Sequence, residues 1–414
     1  MTARSPADRP GETQERGYEA ALDAVLDFAD HLQGRDIDLV IMPILPKLAV
    51  HADQFNSAYQ GGLIETADYQ NWLRRVQAAG VKVFEVGDAI ESFHAQSDLP
   101  AYLKTDTHWR PEAMEWCAGA LVDFLASANL ISVPTQPIRN VIDETSIRAR
   151  GDLWRMLRLS ESSSQFMPES VTLRQIRTAN GMRWQADRSS DVLLLGDSFS
   201  NIYSLAQMGW GEGAGFAEHL SHQLGRPLDA ILRNSDGAHA TRQILSRELA
   251  RGFDRLEGKS LVIWEFAARE LTHGRWPKFS YQLGEKAAGN FIEVDAREQH
   301  EFEATLVDVS PIPVPGSVPY QDFLATLHFR DVGKASEKSK GGSEMLVYAA
   351  AMTANRWTDV ATLRPGQKLR MKVGNWLDAE ARYGRWNRSE LSEDLLLEPV
   401  NWMIEMTLVE DGDE

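Results

Sequence analysis

The sequence predicts an α/β protein built on a parallel sheet, followed by a C-terminal β-rich domain. Two observations carry this expectation. Up to about residue 280, segments with apolar residues at helical spacing alternate with short, nearly continuous apolar runs, the pattern of strands covered by helices on both faces. From about residue 288 that periodicity stops, and short β-rich runs separated by turn residues replace it. A chain of 414 residues also exceeds what one core usually organises, so two domains are expected.

Each element has its own signal. Residues 1–16 are polar and contain Pro and Gly, and read as a disordered lead-in; they lack the charged start and apolar middle of a signal peptide. Leu22, Val25, Leu26, Ala29 and Leu32 then recur at helical spacing up to Gly34, and Ile37–Ile44 follows as a buried strand. Thr66 caps a helix carrying Trp72, Leu73 and Val76, Gly80 ends it, and Val81–Val86 is the second strand. Pro111 opens a helix whose apolar face holds Met114, Ala118, Leu121, Val122 and Leu125.

Between about residues 130 and 190 the pattern turns irregular and Ser-rich. Asn180-Gly181 predicts a hairpin turn between Val171–Ile176 and Met182–Gln185. The alternation resumes with Val192–Leu195, Leu228–Leu232 and Leu261–Trp264, separated by helices. That makes five parallel strands in a domain spanning 17–285. The β-rich domain covers 288–414, with its boundary near Gly284–Gly289. Its strand candidates are Glu301–Val309, Phe323–Phe329, Met345–Ala350, Lys368–Val373 and Trp402–Leu408, and a Ser/Lys/Gly loop lies at 336–343. Its size is that of β-sandwiches and similar folds.

Composition excludes some functions. A net charge of −17 is the wrong sign for a nucleic-acid partner, whose binding needs a concentrated basic surface. The single Cys117, set among Trp116, Ala118 and Ala120, reads as a buried structural cysteine. No run of 18 apolar residues is present, so no membrane-spanning helix is expected and the chain reads as soluble and without an export signal.

Two stretches carry chemistry: Thr105-Asp106-Thr107-His108-Trp109 and Leu193-Leu194-Leu195-Gly196-Asp197-Ser198-Phe199-Ser200. A strand running into Gly-Asp-Ser and then a helix sets the Ser198 hydroxyl at the carboxyl end of the sheet, where α/β folds build their sites. Backbone amides at that helix start are oxyanion donors in waiting. In Asp106-Thr107-His108 the carboxylate and imidazole project to one side of an extended segment, so Asp106 can orient His108 as a base for Ser198. Other readings remain open here: Ser198 as a helix cap, Asp106 and His108 as a plain hydrogen-bonded pair, or the two as metal ligands with help from His219 and His222. Gly209–Gly215 follows a helix and lacks a phosphate-loop lysine, so it reads as active-site rim. Asn234–Gly237, after the fourth strand, is either an extra donor for the reacting carbonyl or an ordinary turn. Trp109, Trp210, Trp264 and Trp276 are either core or platforms for sugar rings.

These paired motifs resemble the bacterial alginate O-acetyltransferases of the AlgX/AlgJ type, whose catalytic domain is related to the SGNH (GDSL-type) hydrolases. Pro43-Ile44-Leu45-Pro46-Lys47, Gly151-Asp152-Leu153 and Val262-Ile263-Trp264-Glu265-Phe266 with Arg269 fit the same pattern, over roughly residues 36 to 280. Ordinary SGNH hydrolases place Gly-Asp-Ser first and the histidine last; here the order is inverted, which a circularly permuted SGNH-hydrolase-like domain explains. The resemblance implies Ser198 as nucleophile, His108 as general base and Asp106 as its orienter, with oxyanion or substrate contacts near Gly237, Asn234, Trp109 and Arg269. The superfamily's oxyanion asparagine has no counterpart at Glu265–Ala268. The resemblance further implies acetyl transfer to an exported polysaccharide in the periplasm, an acetyl donor such as a membrane-bound acyltransferase, export proteins as partners, no cofactor and no metal. An N-terminal hydrophobic segment of such proteins would lie upstream of this chain's start. Pro319-Tyr320-Gln321-Asp322 and Asn387-Arg388-Ser389-Glu390-Leu391 resemble the accessory polysaccharide-binding domain of some relatives.

The sequence therefore favours a Ser-His-Asp O-acetyltransferase or acetylesterase. The rivals are a non-catalytic polysaccharide-binding scaffold of an export complex and a metal-dependent hydrolase using Asp106 and His108.

Overall fold

The computed structural model describes residues 10–409 apart from 57, 60–61, 133, 159, 161–163, 165, 235, 286–290, 319, 335–342, 392–394 and 396–397. The chain forms two compact units, Met1–Ile244 with Leu256–Ser280, and Leu245–Arg255 with Tyr281–Glu414.

The first unit begins with α1 (Pro10–Gln33), so the helix reaches into the stretch expected to be a lead-in; residues 1–9 lie outside those described. Proline is pre-organised for a first helical turn, and a Glu follows two residues on, which explains the earlier start. Tyr18, Leu22, Val25, Phe28 and Leu32 form the buried stripe of α1. There follow β1 (Asp38–Ile44), α2 (Lys47–Val50), α3 (Ala52–Phe55), α4 (Ala67–Ala78), β2 (Lys82–Val83), α5 (Val86–His94) and α6 (Pro111–Ser127). The Val81–Val86 strand is thus shorter than expected, because the chain leaves the sheet edge after Phe84 donates to Ile41 and Val86 already opens a helix. Thr66 does cap α4, accepting the Tyr69 N–H at 3.2 Å.

The irregular segment is a two-stranded ribbon, β3 (Asn140–Ala149) paired antiparallel with β4 (Glu169–Thr178), with α7 (Asp152–Met156) between them. This corrects the expected hairpin. The Asn180-Gly181 turn forms, with Gly181 at φ +80°, but its second arm is only the Arg177–Arg183 bridge. The main partner, β3, alternates exposed and half-exposed residues and so carries little apolar signal. Then come β5 (Val192–Gly196), α8 (Ser198–Asn201), α9 (Phe216–Leu224), β6 (Asp229–Leu232), α10 (Ala240–Ala250), β7 (Leu261–Ala267) and α11 (Glu270–His273).

The five strands expected from the sequence make one parallel sheet in the order β2-β1-β7-β5-β6. Counted from β5 and wrapped from β7 to β1, this is the 2-1-3-4-5 order of a doubly wound fold, so the sheet is that of a permuted chain. Every residue of β5 and β7 is buried. These two neighbours flank the point where the strand order reverses, and sheets of this kind build their sites beyond the carboxyl ends of such strands. At the other end of the sheet the Lys259 ammonium lies 3.2 Å from the Asp229 carboxylate, with both side chains almost fully buried.

The second unit contains β8 (Gln299–Val309), β9 (Phe323–Lys334), β10 (Glu344–Thr353), β11 (Arg356–Trp357), β12 (Lys368–Asn375), α12 (Trp376–Tyr383), β13 (Asn387–Ser389) and β14 (Val400–Leu408). All five expected runs are strands. They form a closed barrel and not the layered pair of sheets of a sandwich: β8-β9-β10-β14-β12 and back to β8, with β10–β14 parallel and the other contacts antiparallel. Five strands in this 1-2-3-5-4 order match the OB barrel. Its core includes Phe302, Leu306, Leu327, Phe329, Val347, Leu369 and Met403. The Gly284–Gly289 boundary and the 336–343 loop fall largely outside the described residues. Among the described residues no helix is long and apolar enough to cross a membrane.

Removing one partner of a dry ion pair strands the other charge, so Lys259→Met is expected to lower the unfolding free energy by about 3–5 kcal/mol. Equilibrium denaturant unfolding of the variant checks this.

Candidate active site

The apolar run of β5 ends at Gly196, and the next residue bolts the turn to its neighbour. Asp197 Oδ1 accepts the Phe199 N–H at 2.8 Å, capping α8, and Oδ2 accepts the Ala267 N–H at the end of β7 at 2.9 Å. Ser198 is therefore the first residue of α8, at the carboxyl end of the sheet and 9% exposed. Beneath the turn lies Glu265, a carboxyl group inside an otherwise apolar strand. Its Oε2 accepts the Asp197 N–H at 3.0 Å and the Ser200 hydroxyl at 2.6 Å. Burial first, and then the charge of Asp197, push Glu265 well above the usual carboxylate range.

The second motif is a loop pinched by an antiparallel bridge between Tyr102 and Trp109. With no regular partner strand, its backbone groups must find partners elsewhere. The Glu169 carboxylate accepts the N–H groups of Lys104 and Thr105 at 3.0 and 2.8 Å, and Asp152 Oδ1 accepts that of Thr107 at 2.8 Å. On the carbonyl side the Lys47 ammonium donates to Leu103, Lys104 and Asp106. So held, the loop directs Asp106 and His108 inward. His108 Nδ1 lies 2.6 Å from Asp106 Oδ1, and His108 Nε2 lies 2.8 Å from Ser198 Oγ. With the ring proton on Nδ1, facing the carboxylate, Nε2 is left to accept the serine hydroxyl. Phe199 packs against the imidazole with ring centres 4.8 Å apart.

Asp106 is the most heavily bonded group of the site. Oδ1 also accepts the His108 N–H at 3.1 Å, and Oδ2 accepts the Trp210 indole N–H at 2.9 Å and the Asp152 N–H at 3.0 Å. Burial alone would raise its pKa, but the His108 charge and these donors hold it below the usual carboxylate range. Burial alone would lower the histidine's, but the Asp106 charge and hydrogen bond outweigh it, with Asp152 and Asp197 adding, and His108 titrates above an ordinary imidazole. Asp152 moves up, mainly through burial and then the Asp106 charge. The ligand atoms of Asp106, His108 and Asp152 fall within 4.8 Å of one another. Those of Asp106 and the His108 Nδ1 are already engaged in N–H bonds, however, which makes the cluster a hydrogen-bond network. His219 and His222, the suggested extra metal ligands, lie instead beside Glu115 and Asn140.

The remaining expected residues divide. Asn234 is buried, and its Oδ1 accepts from Asn201 of α8 at 2.8 Å while its amide nitrogen lies 3.6 Å from the Met208 sulfur. Gly237 and Arg269 gather around Glu270: a Cβ on Gly237, at φ +78°, would lie 3.0 Å from Glu270 Oε2, and Arg269 Nε lies 3.8 Å from Oε1. The sugar-platform reading of the tryptophans is overturned. Trp109, Trp210 and Trp264 are fully buried and Trp276 is 8% exposed. Trp109 donates to the Phe199 carbonyl at 3.0 Å and packs edge-on against the Phe199 ring, so it braces α8. Cys117 is buried as expected, its thiol pushed up to about 12 by burial.

Sequence reasoning assigned no role to Lys47, Asp152, Glu169 or Glu265. For Glu265 the signal was present, since a carboxyl group inside Leu261–Ala267 has to be hydrogen-bonded or neutral. Gly151 is needed because a side chain there would run into Asp106 and the Thr105 carbonyl. Because Gln keeps an acceptor for the two buried donors, Glu265→Gln is expected to stay within about 1 kcal/mol of the parent. Glu265→Leu strands both donors at about 1–3 kcal/mol each. Chemical denaturation of the two variants separates these outcomes.

Comparison with known proteins places the chain in a family. Residues 5–268 match the profile described as "SGNH hydrolase-like domain, acetyltransferase AlgX". The probable alginate O-acetylase AlgJ of Pseudomonas aeruginosa is 27% identical over 245 residues, 58% of this chain and 61% of that protein. The protein of the same name from Azotobacter vinelandii is 27% identical over 242 residues, 56% and 58% of the two chains. The chain thus spans about three fifths of the length of these curated relatives. Among solved structures, the O-acetyltransferase domain of Pseudomonas putida AlgJ is similar at 20% identity and TM-score 0.48, covering 65% of this chain and 86% of that one. Pseudomonas aeruginosa AlgX is similar at 13% identity and TM-score 0.42, covering 94% and 84%. With the profile matched over more than half of its length, the chain belongs to the AlgX family of SGNH hydrolase-like acetyltransferase domains.

Proposed function

We propose that the chain is a serine-dependent O-acetyltransferase that modifies hydroxyl groups of an exported polysaccharide. The observation that carries this is the line from Asp106 Oδ1 to His108 Nδ1, 2.6 Å, and from His108 Nε2 to Ser198 Oγ, 2.8 Å. In the first half-reaction Ser198 Oγ attacks the donor's acetyl carbonyl as its proton passes to His108 Nε2. Collapse of the tetrahedral intermediate breaks the bond to the leaving group, which takes that proton, and leaves acetyl-Ser198. In the second half a sugar hydroxyl gives its proton to His108 and attacks the acetyl carbon. Ser198 Oγ leaves and takes the proton back. Asp106 stays ionised throughout and steadies the imidazolium formed in each half.

Membership of an acetyltransferase family supports acetyl as the group moved, and relatives named as alginate O-acetylases support a polysaccharide acceptor. On this reading the reaction runs in the periplasm, beside polysaccharide export proteins, with acetyl supplied by a membrane-bound acyltransferase. The C-terminal barrel would hold the glycan: Tyr383 and Trp402 stack with ring centres 4.2 Å apart, next to Trp376, and all three are partly exposed.

His108 must be neutral to act as a base. Because its pKa is raised, kcat/KM for a small activated acetyl ester is expected to climb with pH through a midpoint above the ordinary value of about 6.5. Asp106→Asn removes the anion that raises it, so the midpoint drops and the rate falls roughly 10⁴-fold. Ser198→Ala is expected to abolish acetyl-enzyme formation; ester turnover undiminished in a folded Ser198→Ala protein would instead favour a binding scaffold. Trp402→Ala is expected to raise KM for a polymeric acceptor about tenfold while leaving small-ester turnover unchanged. Steady-state kinetics on the two substrates checks both.

A further inference from the structure

We propose that Lys47 is the positioning residue of the His108 base, holding the Asp106–His108 loop at working distance from Ser198 through the connection between β1 and α2. The proposal rests on the catalytic reading above, and nothing in that reading assigns a task to this lysine.

An ammonium group carries three N–H bonds and accepts none. In Lys47 all three are directed at one target: Nζ lies 2.6 Å from the Leu103 carbonyl oxygen, 2.9 Å from that of Lys104 and 3.0 Å from that of Asp106. These carbonyls lie more than fifty positions away in sequence and belong to an irregular segment, so no strand or helix would otherwise hold them. The same connection grips the loop's entry twice more. The Tyr102 hydroxyl donates to the Leu45 carbonyl, and the Tyr102 N–H donates to His51 Nε2 at 3.2 Å. Leu45, Lys47 and His51 follow directly on β1, which pairs in register with β7, and β7 pairs with β5, the strand that delivers Ser198. The distance between base and nucleophile is therefore set by a chain of rigid elements with Lys47 as its link to the loop.

Charge makes the link stronger. Burial, the larger effect, lowers the pKa of the ammonium, while the carboxylates of Glu169, Asp106 and Asp152 partly offset it, and those groups accept the N–H bonds of Thr105, His108 and Thr107 in the same loop. The loop thus lies between a cation on its carbonyl side and anions on its N–H side. An arginine offers a planar fork that does not converge on three oxygens around a single point, so Lys47→Arg is not a conservative exchange here.

Since a misplacement of about 1 Å can cost about 10²-fold in rate, Lys47→Met is expected to lower kcat by roughly 10- to 100-fold with KM for a small acetyl ester changed less than about twofold. Lys47→Ala should recover activity in methylammonium, which supplies both charge and N–H donors, and not in tetramethylammonium, which supplies charge alone. A readout free of turnover accompanies these. A downfield His108 Nδ1 proton is expected by NMR in the wild-type protein, and it should broaden or shift upfield in Lys47→Met. Wild-type kcat together with an unchanged Nδ1 signal in Lys47→Met would overturn the proposal, as would equal rescue by the two ammonium ions. Should Ser198→Ala leave ester turnover intact, the catalytic reading itself would fail, and the Nδ1 signal would still decide whether Lys47 sets the loop.

Discussion

The Asp106 carboxylate occupies a spot where three stretches of chain, far apart in sequence, have to meet. Its own loop brings the His108 ring and N–H, the ribbon insertion brings the Asp152 N–H, and the glycine-rich loop brings the Trp210 indole. A buried carboxylate is costly to keep unless its oxygens are filled, and four N–H donors fill this one. Much of the site's architecture follows from that need. Gly151 has no side chain because Asp106 occupies the space a Cβ would take, and Gly209 and Gly211 adopt positive φ on either side of Trp210. The reward is an imidazole fixed in tautomer and direction, with its second nitrogen on Ser198.

A second constraint works from below. Ser198 stands on a turn held by Asp197, and Asp197 is held by Ala267 of the neighbouring strand and by the buried Glu265. Burial and the Asp197 charge together push the Glu265 carboxyl well above its ordinary range, so the charged form is disfavoured beneath the turn. The Ser198 hydroxyl and the His108 ring therefore reach the same point by different routes. Ser198 is carried by the regular sheet; His108 is carried by a loop whose backbone is held largely by the charged side chains of Lys47, Asp152 and Glu169.

That difference governs how much the sequence disclosed. Strands β1, β5, β6 and β7 are apolar runs buried on both sides, so their existence, their parallel pairing and the inverted motif order were legible. The strand order β2-β1-β7-β5-β6 then followed that reading. The groups that hold the loop were not legible, because Lys47, Asp152 and Glu169 are charged residues in polar or short segments. A charged residue reads as solvated surface until its partner more than forty positions away is known. The tryptophans allow two readings in sequence, core or sugar platform, and the fold takes the first: Trp109 and Trp210 are buried braces. In the C-terminal unit the strand runs were clear from alternation. Closure into a barrel was not, because it depends on β10 meeting both β9 and β14, a matter of long-range register that local pattern does not encode.

The account stands on a covalent acetyl-Ser198 formed with His108 as base. Rapid quench of the intact protein with an activated acetyl ester, followed by peptide mass spectrometry, tests this most directly. The account predicts one acetyl group per chain on the peptide carrying Ser198, built up within the first turnover and lost when a sugar acceptor is added. A protein that turns over the ester with no acetyl on that peptide at any time point, or with acetyl on another residue that discharges at the catalytic rate, would contradict it.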